Sequence, residues 1–322
     1  MASASSAFGE VETPLTSLDI DGTPVQAKLD FLTPTGSFKD RGFAVLISAL
    51  EHAGATQVVE DSSGNAAASI AAYAARASIP CTVFAPETAS PGKLAQATAY
   101  GATVVRVNGA RSDVAGAAED QHHHERGVVY ASHNWHPFFI AGVATWALEV
   151  WEQLGFQEPD NVIVPAGSGS LVLGAHYAFT LLQNSGEIGR LPRIFAAQPE
   201  ACAPIANAVE QHATGVTECH CRPTIAEGAS IAAPVRGDEV VAALRDSGGG
   251  AVNLTEREII AATLDSARQG LYIEPTSALA AAGARKLLRS GVIARSESSV
   301  LVLTGSGLKA TESVSSFLSI HA

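Results

Sequence analysis

The sequence predicts an α/β protein of two domains, each a parallel sheet covered by helices. Three observations carry that expectation. Strand, turn and helix alternate from near residue 25 to the end, the pattern of parallel sheets buried on both faces. Glycine-rich turns stand at several strand ends. The 322 residues match about two domains of ordinary size. Hydrophobic residues make up 47% of the chain and charged ones 16%, against a usual charged share of about 25%. Small-residue helices packed tightly on strands would give such a composition.

Val25 to Asp30 alternates and reads as a strand. A helix starts from Phe38, because Phe43, Leu46, Ile47 and Leu50 recur on one face. Strand Gln57 to Glu60, helix Asn65 to Ala77 and strand Cys81 to Phe84 follow. Ser90 and Pro91 read as an N-cap and a first helical proline. Thr103 to Val107 is a strand, and Pro137 to Leu154 one long helix. Strand Val162 to Pro165 runs through a glycine loop into helix Leu171 to Leu182. Thr255 and Glu258 form a capping-box signature, and Ser299 to Leu303 is a final buried strand. The expected division is a smaller domain over 51–144 and a larger one from 1–50 and 145–322. Ligands should sit at the carboxyl ends of strands.

The formal charge is −12, from 32 acidic and 20 basic residues. Such a chain offers no basic field to nucleic acid or to an anionic membrane. It still admits an anionic ligand, which needs only a local cradle of donors. No charged and apolar leader precedes Lys28, the first basic residue, and no apolar run reaches the roughly 18 residues of a membrane span. A cytoplasmic location is therefore expected.

The four cysteines, Cys81, Cys202, Cys219 and Cys221, are expected to be reduced thiols in that compartment. Cys219-His220-Cys221, with Cys202, has metal-ligand chemistry. Structural zinc sites pair their ligands as C-x₂₋₄-C, however, and no second pair is present. Buried thiols beside a loop, with no metal site, is the reading. His122, His123 and His124 lie in a polar stretch and read as a solvated helix end, since adjacent helical residues point apart.

Of five lysines, Lys28, Lys93 and Lys286 occupy positions expected at the surface, and Lys309 falls in a turn near the C-terminus. Lys39 lies at a turn-to-helix junction, Pro34-Thr35-Gly36-Ser37-Phe38-Lys39-Asp40-Arg41-Gly42. A helix N-terminus disfavours an ammonium ion, and a neutral amine is what imine chemistry requires. The segment Val162 to Leu171 is a strand, a Gly-Ser-Gly-Ser turn and a helix start, a phosphate cradle that needs no cation. A dinucleotide site would need a third glycine where Val172 stands, and Glu187 falls in a turn where a ribose-binding acid would end a strand. No Gly-Lys-Ser/Thr follows, which excludes a Walker-A loop. Ser62-Ser63-Gly64-Asn65 and Thr304-Gly305-Ser306-Gly307 end two further strands, and each alone reads as an ordinary cap or turn.

Together these segments resemble a known set. Ser37 to Gly42 resembles the lysine motif of fold-type II pyridoxal phosphate enzymes, and of threonine synthase among them. Ser62 to Asn65 is similar to their asparagine loop, Gly167 to Leu171 to their phosphate loop, and Thr304 to Lys309 to the closing motif. Glu12-Thr13-Pro14-Leu15 and Glu274-Pro275-Thr276-Ser277-Ala278 fall at the matching places, so the resemblance runs in order along nearly the whole chain.

The resemblance implies the tryptophan-synthase-β-like fold, with pyridoxal 5'-phosphate in the cleft between two domains. Lys39 would carry the cofactor covalently and then move protons at the substrate's Cα and beyond. Asn65 would bond the ring oxygen, and Gly167, Ser168, Gly169, Ser170 and Leu171 would hold the phosphate. Thr304 would meet the pyridine nitrogen, where a hydroxyl leaves a milder electron sink than a carboxylate and favours elimination and replacement. Ser62, Ser63 and Gly64 would receive the carboxylate of a small amino acid.

The activity so implied is a threonine synthase-like lyase, assembled as a homodimer. The rivals are a threonine or serine ammonia-lyase, a β-replacing synthase, or a non-catalytic metabolite-binding protein using the glycine loop. Ala66, His136, Phe138, Phe139 and Ala310 depart from the threonine synthase pattern. Donors for a substrate phosphate then reduce to Arg41, Lys309 and the hydroxyls of Ser37 and Ser63. Weak turnover of O-phosphohomoserine is expected from that loss.

Overall fold

The computed structural model describes residues 7–89, 91–109 and 111–320. Two strands, β1 (Leu15–Ile20) and β2 (Thr23–Lys28), come first. Helix α1 (Lys39–His52) leads to β3 (Gln57–Asp61), α2 (Asn65–Arg76), β4 (Cys81–Pro86), α3 (Pro91–Ala99) and β5 (Thr103–Val107). Next are α4 (Arg111–His124), β6 (Val128–Tyr130), α5 (Pro137–Val143) and α6 (Thr145–Gln153). Then come β7 (Asn161–Pro165), α7 (Ser170–Asn184), β8 (Arg193–Pro199), α8 (Pro204–Glu210), α9 (Gly237–Asp246) and β9 (Gly250–Leu254). The last are α10 (Glu256–Arg268), α11 (Pro275–Arg289), β10 (Ser299–Val302) and α12 (Thr311–Ile320).

Contacts divide the chain into two units. The first holds the segment ending at Val11 and Thr33–Val143; the second holds Glu12–Leu32 and Ala144–Ala322. The sequence reading placed 1–50 with the larger domain, whereas Thr33 to Leu50 clusters with the smaller unit. The reason is packing: α1 lies on α2 and α5. A methyl group added at Gly42 would stand 2.3 Å from the Phe139 ring, and one at Gly142 would stand 2.2 Å from the Arg41 carbonyl oxygen. Glycine alone permits these helix backbones to approach so closely.

The first unit carries a four-stranded sheet in the order β5-β4-β3-β6, parallel throughout. Val59, Phe84, Val114, Ala118 and Val128 fill one side of it. The second unit has six strands in the order β1-β2-β10-β7-β8-β9, parallel except for the β1–β2 hairpin. In its centre Leu301 pairs with Ala27 on one side and Ile163 on the other. All three are buried, which is why β10 and β7 read as continuous apolar runs. Adjacent parallel strands end on one edge, so the loops after β7 and β10 are neighbours.

Several elements differ from the sequence reading. The helix expected over Pro137 to Leu154 is two helices parted at Ala144. α5 buries Phe139, Ile140 and Val143 in the first unit, and α6 buries Trp146, Ala147 and Val150 in the second. Periodicity alone does not reveal a helix whose two halves serve different cores. Lys28, expected at the surface, is fully buried: its Nζ lies 2.6 Å from Glu149 Oε2 and donates to Thr13 O and Gln153 Oε1. Cys202 and Cys221, expected as thiols, form a disulfide, because the segment after α8 folds back until their Cα atoms are 4.6 Å apart. The capping box of α10 is present, with Thr255 and Glu258 each bonding the other's backbone N–H. Ser90, read as a cap, lies outside the described residues, though α3 does begin at Pro91. His122, His123 and His124 end α4, with His124 exposed.

Candidate active site

In the first unit the site is assembled by Asp40. Lys39 opens α1, half-buried, with its Nζ 4.8 Å from the centre of the Phe38 ring and 5.5 Å from that of Phe139. The next residue, Asp40, is 1% exposed. Its carboxylate accepts from the Thr35 N–H and hydroxyl, each at 2.6 Å, and from Ser69 Oγ at 2.6 Å. Burial pushes the Asp40 carboxyl above its usual range, while the bonds from Ser69 and Thr35 oppose that shift. Asp40 therefore joins the turn before Lys39 to α2, one turn beyond Asn65. Its role was hidden in the sequence, although Asn65 and Ser69 share a helix face at i, i+4.

The Ser62–Asn65 loop is fixed from below. Glu60, fully buried, accepts from His133 Nδ1 at 2.6 Å and from the His133 N–H at 3.2 Å. Tyr130 Oη donates to Asp61 at 2.7 Å. Ser62 Oγ accepts from the Gly64 N–H, and α2 starts at Asn65 with no side-chain cap on its first turn. The loop is thus not the ordinary N-cap that it resembles in isolation. Ser63 and Asn65 are half-buried and Gly64 is exposed. Ser37 Oγ, two residues before Lys39, is buried without a hydrogen-bond partner among the described residues, an unsatisfied group of the sort that sites retain for a ligand or water.

In the second unit the N-terminus of α11 does the joining. Ser277 Oγ accepts from the Thr304 N–H at 2.8 Å, and the Glu274 N–H donates to Gly305 O at 3.0 Å. Thr276 Oγ1 accepts from the Gly228 N–H at 3.1 Å. Gly228 in turn covers the glycine loop: a methyl group on Gly167 would lie 2.8 Å from the Gly228 carbonyl oxygen. Gly169 has φ +88°, and a Cβ there would stand 2.2 Å from Val240 Cγ2. Both places demand glycine. Helix α7 then starts at Ser170 without a side-chain cap, so no side chain competes for the N–H groups of its first turn. Thr304 is 2% exposed.

A family model for pyridoxal-phosphate dependent enzymes matches residues 7–305. The chain belongs to that family. The enzyme is similar to the threonine synthase of Methanocaldococcus jannaschii, at 37% identity over 278 residues, 86% of this chain and 68% of that protein. In fold it is similar to maize serine racemase, with TM-score 0.81 and 24% identity, covering 97% of this chain and 94% of that one. A threonine deaminase from T.th. gives TM-score 0.77 at 26% identity, with 92% of each chain covered. The fold-type II architecture is thereby established, and the cofactor of the enzyme is pyridoxal phosphate.

The residues present fit that cofactor. The Gly167–Ser170 turn packs against Gly228 and Val240 so closely that Gly167 and Gly169 have no room for a Cβ, and it opens a helix of 15 residues whose end favours an anion. Among the departures from the threonine synthase pattern, Ala66 and Phe139 are 3% and 0% exposed and belong to the packed interior. Phe139 lies edge-on to Phe43 at 5.0 Å. Phe139 also borders the lysine, its ring centre 5.5 Å from Lys39 Nζ.

If Asp40 positions Lys39, Asp40→Ala should destabilise the protein by about 1–3 kcal/mol, because buried hydroxyls lose their acceptor. Cofactor loading should fall with it, and Asp40→Asn, which keeps an acceptor oxygen, should restore part of both. Thermal melts and cofactor absorbance on the two variants test this; equal behaviour of Ala and Asn would remove the positioning role.

Proposed function

We propose that the enzyme carries out threonine synthase-like chemistry: O-phosphohomoserine and water give threonine and phosphate. The observation that supports this reading best is the setting of Thr304, taken with the 37% identity to a threonine synthase. Thr304 follows β10 and is buried, and its N–H donates to Ser277 on the first turn of α11. A hydroxyl facing the cofactor nitrogen does not force a proton onto it, and this suits elimination and replacement over transamination.

In this proposal Lys39, Asn65, Gly167, Ser168, Gly169, Ser170, Leu171 and Thr304 hold the cofactor. Bound pyridoxal phosphate supplies the electron sink for charge at the substrate Cα. Lys39 holds the cofactor until substrate takes its place, then moves protons at Cα and at Cβ. Ser62, Ser63 and Gly64 receive the substrate carboxylate on hydroxyls and on the uncapped start of α2. Asp40 keeps the lysine turn fixed while the amine moves its protons.

The test is a substrate panel. Phosphate release matched by threonine formation from O-phosphohomoserine is expected, slow because the Ala66 and Phe139 positions offer the substrate phosphate no donor, with little keto acid from serine or threonine. Keto acid from threonine or serine, without threonine synthesis, would replace this reading by an ammonia-lyase.

Thr304→Asp is expected to retain the cofactor, because the phosphate cradle is untouched, and to divert turnover toward transamination. An unchanged product distribution would mean that Thr304 does not face the ring.

A further inference from the structure

Three of the four cysteines come together in the second unit. Cys202 precedes α8 and is buried; Cys219 and Cys221 lie half-buried on the long connection between α8 and α9. All three Sγ atoms lie within 4.8 Å of one another. Two thiolates bound about 2.3 Å from a tetrahedral zinc ion stand about 3.8 Å apart. Cys219 Sγ and Cys221 Sγ are 3.8 Å apart. The sequence spacing lacks a second ligand pair, and the fold supplies the third sulfur instead, by returning the connection to the start of α8. That return is pinned by the Arg222 N–H, which donates to Ala201 O at 2.9 Å, and within the connection the Cys219 N–H donates to Ala232 O at 3.1 Å.

We propose that Cys202, Cys219 and Cys221, once the Cys202–Cys221 disulfide is reduced, form a three-thiolate site for one soft metal ion, zinc or its spectroscopic substitute cobalt(II). The two states exclude each other, since a disulfide sulfur has no thiolate to offer. Opening the disulfide takes two electrons and two protons: a dithiol supplies both and becomes a disulfide, whereas a phosphine supplies the electrons and takes the oxygen of a water molecule, whose two protons go to the thiols. The bound ion then replaces the protons of the three thiols. The fourth coordination position is left to an external ligand such as water, because the cluster contains three protein donors among the described residues. The same connection carries Gly228 onto Gly167, so metal binding would fix a segment that packs on the glycine loop.

The experiment uses the full chain, reduced with a phosphine and freed of excess reductant without air, and titrated with cobalt(II). One ion per chain with sulfur-to-cobalt charge-transfer absorption is expected, abolished by zinc, and absent in the oxidised protein. Cys219→Ser should weaken binding by more than the roughly 10–100-fold that loss of a supporting residue costs at metal sites. Cys81→Ser, in the first unit, should leave it unchanged. As a second readout on the unaltered chain, zinc should protect three of the four thiols from alkylation, counted by mass. Absence of the absorption in reduced protein, an unchanged titration in Cys219→Ser, or no protection of thiols would each overturn the site.

Discussion

Lys39→Ala is expected to leave a folded protein that no longer holds pyridoxal phosphate covalently. Its turnover should fall by at least the roughly 10²–10⁴-fold that a positioned proton-transfer group contributes, and further for the lost attachment. The fold should survive because Lys39 is the first residue of α1 and only half-buried, while the contacts that fix this turn come from Asp40. Alanine is also a good helix former at that position. Borohydride reduction of the loaded wild-type enzyme, followed by peptide mapping, should place the pyridoxyl group on Lys39. Lys28 cannot compete, because its amine is fully buried against Glu149, Gln153 and Thr13. A pyridoxyl group on Lys309, or a variant that keeps full activity, would overturn the assignment.

Gly169→Ala is expected to damage cofactor binding and stability together. The residue has φ +88°, a conformation that costs an L-residue about 1–2 kcal/mol. Its Cβ would also stand 2.2 Å from Val240 Cγ2 on α9, so either α9 shifts or the cradle opens. Gly186→Ala provides the control. Gly186 has φ +80° with no atom within 4 Å of its would-be Cβ, so the backbone strain is shared and the clash is not. A Gly169→Ala protein should melt lower than the Gly186→Ala protein, and its affinity for pyridoxal phosphate should drop at least about tenfold, a loss of roughly 1.4 kcal/mol. Equal melting and equal affinity in the two variants would show that the Gly167–Ser170 turn does not cradle the phosphate.

Much of the local structure of the candidate site was legible in the sequence because its parts are local. A glycine turn between an apolar strand and a helix, a lysine at a helix start and a Ser-Ser-Gly-Asn loop each occupy a few consecutive residues, and local backbone geometry dictates their composition. The alternation of strands and helices was legible for the same reason, since periodicity reports which face of an element is buried. Asp40 was visible only as a letter in a motif. Its carboxylate bonds Thr35 and Ser69, the latter 29 residues away, and no periodic signal links those positions.

By itself, then, the sequence determined the α/β class, the glycine turn between β7 and α7 and the lysine at the head of α1, because each follows from neighbouring residues and from the exposure pattern of one element. The tertiary structure alone decided that Lys28 is a buried ion-pair partner, that Pro137 to Leu154 is two helices serving two cores, and that Ala66 and Phe139 are interior. It alone brought Cys202 to Cys219 and Cys221. In each case the deciding energy is burial or pairing between segments distant along the chain, and such terms are set only when strand order and helix packing bring those segments together.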